Sequence, residues 1–254
     1  MAANRTQFHR LVELIKGSSK ALIFTGAGIS TGSGIPDYRG PRGLWKTRSP
    51  VYYTDFLNSE QERARYWAQK LEVWDRFKNA RPNNAHKAAV ELEHAGKLLM
   101  VVTQNTDGLH RRAGTSLSHL VEMHGTVLET ECQSCHRRDN PEPYYQQFRK
   151  TGKAPTCTCG GYMKPATISF GQNLRQSDLE RAFDAAANTD LVISLGSTLS
   201  VTPAASVPLE AASRGVPYVI INQGPTEHDS MPEVTLRFEG DVVEIFPDAV
   251  RTAL

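Results

Sequence analysis

The 254-residue sequence lacks any long apolar run: no uncharged stretch reaches the roughly 18 residues that a membrane-spanning helix requires. Its first fifteen residues, Met1 to Ile15, mix Asn, Arg, Gln, His and Glu with apolar side chains, unlike the hydrophobic region of a secretory leader. Neither sign of charge dominates; the net value of +2 leaves no polybasic nucleic-acid tail and no polyacidic segment. Internal repeats and low-complexity tracts are absent. Cysteine is scarce as well. There are four, Cys132, Cys135, Cys157 and Cys159, all in one short stretch. Together these absences describe a soluble chain expected in the cytoplasm, where disulfides are rare and clustered cysteines point to metal. The length and the 39% hydrophobic share suit one sizeable domain, or a large domain carrying a smaller insertion.

Short apolar runs recur along the chain, each ending in polar or glycine residues. Ala21 to Phe24 runs into Thr25-Gly-Ala-Gly-Ile-Ser30, Leu98 to Val102 into Thr103-Gln-Asn-Thr-Asp107, and His119 to Met123 into His124-Gly125. Leu191 to Leu195 is followed by Gly196-Ser-Thr198, Tyr218 to Ile221 by Asn222-Gln-Gly224, and Val234 to Phe238 by Gly240-Asp241. Helical patterns separate the runs: Thr6 to Lys16 with Gly17 as a stop, Asn84 to Ala95, Ser177 to Ala187 with a Ser177-x-x-Glu180 capping box, and Pro203 to Arg214. Uniformly apolar strands alternating with helices predict an α/β fold with a doubly wound, Rossmann-like parallel sheet buried on both faces. The polar clusters then share one sheet edge, where such folds bind ligands. Arg39 to Arg81, with a helical pattern around Asn58 to Phe77, and Glu131 to Pro165 break the alternation. They read as insertions that together form a small second domain.

Gly26-Ala-Gly28 after a strand can cradle a pyrophosphate, because glycine admits close backbone approach and the following helix start offers amide dipoles. An ordinary tight turn would look the same. No acid ends a second strand about 20 residues on, so this is not a plain dehydrogenase fingerprint. Gly34-Ile-Pro-Asp-Tyr-Arg-Gly40 places Asp37 and Arg39 near the cradle, as nucleotide contacts or as a rigid loop with a surface ion pair. Thr103 to Asp107 crowds polar side chains behind an apolar strand, a costly arrangement unless they bind something. Helix capping could occupy Thr106 or Asp107 but hardly the whole set. His124, on the same edge, suits a general base near neutral pH. Cys132-x-x-Cys135 and Cys157-x-Cys159 form two knuckles. Four thiolates would close a tetrahedral zinc site, structural because no coordination position stays open.

On these stretches the sequence resembles the sirtuin family. The match comprises Gly26-Ala-Gly-Ile-Ser30, Gly34 to Gly40 with Gly43-Leu-Trp45, Thr103 to Asp107 with Leu109-His110, and His124-Gly125. It continues through the four cysteines, Lys164-Pro165 with Phe170-Gly171, Gly196-Ser-Thr-Leu199 with Pro203-Ala204, and Ile221-Asn222, in family order over nearly the whole chain. The resemblance implies an NAD-dependent protein-lysine deacetylase or deacylase, with NAD consumed as co-substrate and one structural zinc per chain. It implies a Rossmann-type NAD-binding domain over residues 1–38, 82–130 and 166–254. A helical module (39–81) and a zinc module (131–165) would form the small domain.

By the same resemblance, Gly26, Ala27 and Gly28 meet the phosphates, and Asp37, Tyr38 and Arg39 belong to the mobile cofactor loop. Gln104, Asn105 and Asp107 surround the nicotinamide ribose and amide, while Gly196, Ser197, Asn222 and Val242 line the adenosine end. Ser30, Trp45, Thr198, Gln223 and Gly224 complete the expected cofactor contacts, and Asn105 joins His124 as a catalytic residue. The acyl oxygen would trap C1′ of the ribose as nicotinamide leaves, and His124 would take a proton as a ribose hydroxyl attacks the resulting imidate. The partner is an acylated lysine in a protein or peptide, paired as an added strand near Phe170 and after Gly196. Neither nucleic acid nor membrane is expected as a partner. Mono-ADP-ribosyl transfer at the same NAD site is the alternative; a non-enzymatic NAD sensor and a simple NAD hydrolase are weaker ones. Tyr38, Thr106 and Gln172 depart from the commoner Phe, apolar residue and Glu, which bears on substrate preference. Removers of malonyl and succinyl groups in the family carry Tyr-x-x-Arg in the helical insertion. Here Gln69 follows Tyr66 at that spacing, which favours a neutral acyl group.

Overall fold

The computed structural model describes residues 2–40, 43, 46 and 49–254. Among them are nine strands: β1 Ala21–Thr25, β2 Leu98–Thr103, β3 Leu120–Glu122, β4 Gly125–Cys132, β5 Arg138–Asp139, β6 Met163–Thr167, β7 Leu191–Leu195, β8 Tyr218–Asn222 and β9 Val234–Glu239. Six form one sheet in the order β3-β2-β1-β7-β8-β9, all paired in parallel. The chain order reverses between β1 and β7, and that switch point is where a doubly wound sheet opens a crevice for ligands.

Alternation along these strands explains why both faces are covered. Ala21 and Ile23 of β1, Leu191, Ile193 and Leu195 of β7, and Val219 and Ile221 of β8 enter one core with the helices Ala2–Gly17, Asn84–His94 and Val242–Ala253. The intervening Leu22, Phe24, Val192, Tyr218 and Ile220 enter a second core beneath the helices Gln176–Asn188 and Ser206–Ala212. A strand sends successive side chains to opposite faces, so two buried faces demand unbroken apolar runs. The edge strand β9 is only partly covered and is correspondingly mixed in sequence.

The two sequence insertions meet in a third core. Phe56, Tyr66, Trp67, Trp74 and Phe77 of the helices Tyr53–Asn58 and Glu60–Asn79 pack with Tyr145 and Phe148, beside the antiparallel sheet β5-β4-β6. Trp67 donates its indole N–H to the Met163 carbonyl at 3.1 Å, and Trp74 stacks on Tyr145 with ring centres 4.3 Å apart. Aromatic side chains bury enough area to make a core in a segment with few aliphatic residues.

Several local expectations are corrected. The first helix ends at Gly17 as expected but begins earlier than Thr6, at Ala2. The chain turns at Ser18, Ser19 and Lys20, whose hydroxyls and amides donate to the Asp190 carboxylate at 2.5–3.1 Å. The capping box at Ser177 does not form. The helix begins at Gln176 with Arg175 as an uncapped N-cap, Arg175 reaches Glu131 at 2.9 Å, and Glu180 accepts from Gln176 at 3.0 Å. The pattern at Asn58 to Phe77 divides at Ser59, whose hydroxyl accepts from the Glu62 amide and opens the second helix. The helix expected from Pro203 is regular only over Ser206–Ala212, because its start closes through three-residue turns, Ser206 N–H to Pro203 and Val207 N–H to Ala204.

Candidate active site and zinc centre

The C-terminal ends of the six parallel strands bring most of the expected residues to one edge. At the switch point, Gly26 N–H donates to the Leu195 carbonyl at 3.0 Å and Gly28 N–H to the Gly196 carbonyl at 2.8 Å. A methyl group on Gly196 would lie 2.4 Å from the Ile29 nitrogen, and the residue has a φ of +61°. Only glycine fits there. The two turns are therefore locked backbone to backbone, and amides of the turn over Ala27–Ser33 are placed beside the crevice.

The turn after β2 is tied to that cradle by side chains. Asn105 Nδ2 donates to the Gly26 carbonyl at 3.0 Å and to Ser30 Oγ at 3.2 Å. Ser30 Oγ in turn donates to Asp107 at 2.7 Å, and the other oxygen of Asp107 accepts the Leu109 amide at 2.8 Å. Gln104 donates to Ser197 Oγ at 2.9 Å, bridging the switch point. Burial pushes the Asp107 carboxyl upward, opposed by the Leu109 amide, the Ser30 hydroxyl and the Arg112 charge. Asp107 thus also holds the first amide of the helix Leu109–Ala113, whose N-cap is Gly108, a structural duty beside any ligand contact.

His124 follows β3. Its Nδ1 faces the Gln104 carbonyl at 3.0 Å. A carbonyl only accepts, so Nδ1 carries the proton and Nε2 is left as the basic nitrogen. Burial lowers the pKa of the ring, the Gln104 carbonyl raises it, and the Arg39 guanidinium lowers it again. The net direction is downward, which keeps the ring neutral and able to accept a proton.

Farther along the edge, Asn222 donates to the Gly224 carbonyl at 2.9 Å, and Gly240 N–H reaches the Asn222 carbonyl at 3.3 Å. Val242 is buried at the start of the last helix, and Gln223 is exposed. Thr198 shares a hydrogen bond with Ser200, and its carbonyl accepts Glu227 N–H at 3.0 Å. Asp37 turns onto its own loop and accepts the Gly40 amide at 3.1 Å. The nearby Tyr38 is partly buried and Arg39 exposed, and Trp45 lies outside the described residues. A small cavity lies beside Tyr38 and Thr106, lined also by Lys70, Val73, Trp74 and Phe77. Gln69 points elsewhere, to the Ser49 carbonyl.

All four cysteine sulfurs lie within 4.8 Å of one another, with Cys132 and Cys159 at 3.5 Å and Cys135 and Cys157 at 3.8 Å. Thiolates about 2.3 Å from a common tetrahedral zinc sit about 3.8 Å apart, so this donor set fits the ion without rearrangement. These separations are far beyond a disulfide bond of about 2.05 Å. At Gly161 a Cβ would come within 2.6 Å of the Cys132 sulfur, so the short Cys157-x-Cys159 knuckle closes onto a glycine.

A family model of the Sir2 family matches residues 26–203. The chain belongs to the Sir2 family, the sirtuins. An NAD-dependent protein deacetylase of Rhodopseudomonas palustris is 38% identical over 231 residues, covering 91% of each chain. An NAD-dependent protein deacylase 2 of Archaeoglobus fulgidus is 35% identical, covering 96% of this chain and 95% of its own. Among solved structures, a Sir2 with a p53 peptide and NAD+ superimposes with a TM-score of 0.85 at 33% identity, covering 95% of this chain and 96% of that one. A Sir2 of the same family bound to a propionylated peptide gives 0.84 at 33% identity, covering 96% and 97%. The sirtuin fold accounts for both sheets and for the cysteine cluster. Sequence reasoning placed Thr103 in the polar cluster after its strand but did not single out Thr25 and His86 as neighbours of the site. The only signal was a pair of threonines ending adjacent apolar strands.

Proposed function

We infer that this sirtuin is an NAD-dependent protein-lysine deacylase, transferring the acyl group of a modified lysine to ADP-ribose with release of nicotinamide. The observation that carries this is the neutral His124, its Nε2 free to accept a proton, on the same edge as the Gly26–Gly28 cradle and the Asn105 turn. A phosphate cradle alone would serve many nucleotide-binding proteins; the base beside it calls for proton transfer. Names and bound ligands of the relatives support the same reaction.

In this reading, NAD is held by the amides and close-packed backbone of Gly26, Ala27 and Gly28, with Ser30, Asp37, Tyr38 and Arg39 closing over it. Gln104, Asn105 and Asp107 hold the nicotinamide end. Gly196, Ser197, Thr198, Asn222, Gln223, Gly224 and Val242 hold the adenosine end. Bound NAD supplies an electrophilic ribose carbon. Asn105 orients the ribose, and His124 Nε2 receives the proton of the attacking hydroxyl. The acylated peptide enters beside Phe170, whose exposed ring lies 6.0 Å from Tyr52. Cys132, Cys135, Cys157 and Cys159 hold one structural zinc ion, which leaves no open position for chemistry. The domain division at 1–38, 82–130 and 166–254, against 39–81 and 131–165, is supported by the aromatic core that the two insertions share, which Ile35, Leu109 and Val127 of the larger part join. No helix among the described residues is long and apolar enough to cross a membrane, and thiols grouped for metal fit a reducing compartment, which supports a cytoplasmic site.

The test is incubation with NAD and an acetyl-lysine peptide, with mass spectrometry of the products. O-acetyl-ADP-ribose is expected. An ADP-ribosylated peptide would establish the transferase alternative, and free ADP-ribose without deacetylation a hydrolase. His124→Ala is expected to keep NAD affinity while turnover falls by about a hundredfold or more. A succinyl peptide should react much more slowly than acetyl, since a buried carboxylate without a partner costs several kcal/mol. The reverse order would identify Lys70, the cation at the small cavity, as the anchor for the second carboxylate.

A further inference from the structure

Beneath the cofactor edge lies a buried hydrogen-bond chain that the expected site does not include. The Asn105 backbone N–H donates to Thr103 Oγ1 at 3.0 Å. Thr25 Oγ1 donates to the same oxygen at 2.7 Å. Having given its only proton to Thr103, the Thr25 hydroxyl meets His110 Nε2, at 3.2 Å, as an acceptor. His110 therefore carries its proton on Nε2. All four residues are buried.

The ring of His86 stands beside that of His110, with centres 4.9 Å apart. Asn83 Nδ2 donates to the Ile29 carbonyl and to Ser33, while His86 Nδ1 lies 3.1 Å from the Asn83 oxygen and accepts the Asn83 backbone N–H at 3.4 Å. With its proton on Nε2, His110 Nδ1 is bare, and both it and His86 Nε2 are buried with no hydrogen-bond partner among the described residues. Burial holds both rings neutral. His86 is lowered to about 4, and His110 is held well below its ordinary value by burial and by the neighbouring His86. Other groups facing the pair, Thr25 and Asn83, carry no charge.

We propose that His110 is a positioning residue for catalysis, acting through Thr25 and Thr103 on the turn that carries Gln104 and Asn105. The chain runs from the helix Leu109–Ala113 across β1 to β2, and it ends on the backbone of Asn105 itself. Thr25 also immediately precedes Gly26, whose carbonyl receives the Asn105 side chain. One donor direction, from His110 outward, thus fixes both cofactor turns. A fixed tautomer is what makes this direction unique: with its proton on Nδ1, His110 would offer Thr25 a second acceptor in place of a donor. The inference rests on the reading of Asn105 as an orienting residue.

The experiment measures kcat and KM for NAD on an acetyl-lysine peptide, with zinc content and thermal midpoint recorded beside them. His110→Leu and Thr25→Val are expected to lower kcat by about tenfold or more with a smaller change in KM, the behaviour of lost orientation. His110→Gln, whose amide can still donate to Thr25, and Thr25→Ser, which keeps the hydroxyl, should recover most of kcat. A purely structural role would instead lower the thermal midpoint of His110→Gln and His110→Leu alike with no selective recovery of kcat, and that result overturns the proposal. Asn105→Ala runs in parallel. Its loss of turnover together with unchanged His110→Leu and Thr25→Val overturns the relay alone; unchanged turnover in Asn105→Ala overturns the relay and the reading of Asn105 together.

Discussion

A histidine can take a proton only while its ring is neutral, so the environment of His124 sets the acid limit of the reaction. Its Nδ1 is engaged by Gln104, and burial with the nearby Arg39 charge lowers its pKa below the usual value of about 6.5. Protonation disables the base, so kcat/KM should hold through neutral pH and fall only as the pH drops through that lowered pKa. The Arg39 guanidinium disfavours a second positive charge; without it the imidazolium becomes easier to form and the pKa rises. Arg39→Ala should therefore move the acid limb of the profile to higher pH. A pH–rate profile of both proteins on one acetyl peptide checks this. An unmoved limb would mean that Arg39 does not sense His124. At this scale the sequence was legible where chemistry and backbone coincide, as for His124 at a strand end before a glycine. It was less legible for Asp37, which read as a nucleotide contact or as part of a rigid loop and here accepts its own loop's Gly40 amide, because a side chain's direction is not written in its spacing.

Elements are decided partly by partners far away in sequence. Gly17 carried the local signal of a helix stop and ends the helix, but the turn that follows is held by Asp190, 172 residues from Ser18. Ser177 carried a capping signal that Arg175, held by Glu131 across the chain, leaves unused. The strands of the large sheet needed no such help, since their runs of apolar residues suffice to mark them. The small sheet is the opposite case. Its strand β5 has two residues, and β4 and β6 pair across an irregular register. A two-residue edge strand adds little to the β4–β6 pair, and a two-stranded pair is marginal on its own. The aromatic core around Trp67 and Trp74 supplies part of what the ladder cannot, and a zinc ion on the four cysteines would supply the rest. Cys132→Ala should then lose about one zinc per chain, and the binding energy of a structural zinc, on the order of 10 kcal/mol, is folding energy for its module. Elemental analysis should show the loss, and tryptophan fluorescence should shift as Trp67 and Trp74 become wetted. A metal-free Cys132→Ala protein with unaltered fluorescence and thermal midpoint would remove zinc from the account of stability.

The molecule as a whole turns on the place where strand order reverses. β1 and β7 end 170 residues apart, Thr25 before Gly26 at one turn and Leu195 before Gly196 at the other, with the Gly26 amide already bonded to Leu195. Both insertions leave and return between these strands, so the cradle is complete only when the two halves of the sheet have met. Gly196 is the test of that union. It has a φ of +61°, and a Cβ there would lie 2.4 Å from the Ile29 nitrogen and 2.6 Å from the Gly28 carbonyl carbon. These are backbone atoms that cannot swing aside. Gly224, with a φ of +86°, has the same conformational demand but nothing within 4 Å of a Cβ. Gly224→Ala should thus cost only the left-handed penalty of about 1–2 kcal/mol, with modest change in NAD affinity. Gly196→Ala adds displacement of the cradle to that penalty and should lower both the thermal midpoint and NAD affinity further, while zinc content, held on a separate core, stays near one per chain. NAD titration, thermal melts and metal analysis of the two variants separate the terms. Equal NAD affinity in both would mean that the packing of Gly196 against Gly28 does not shape the cofactor site.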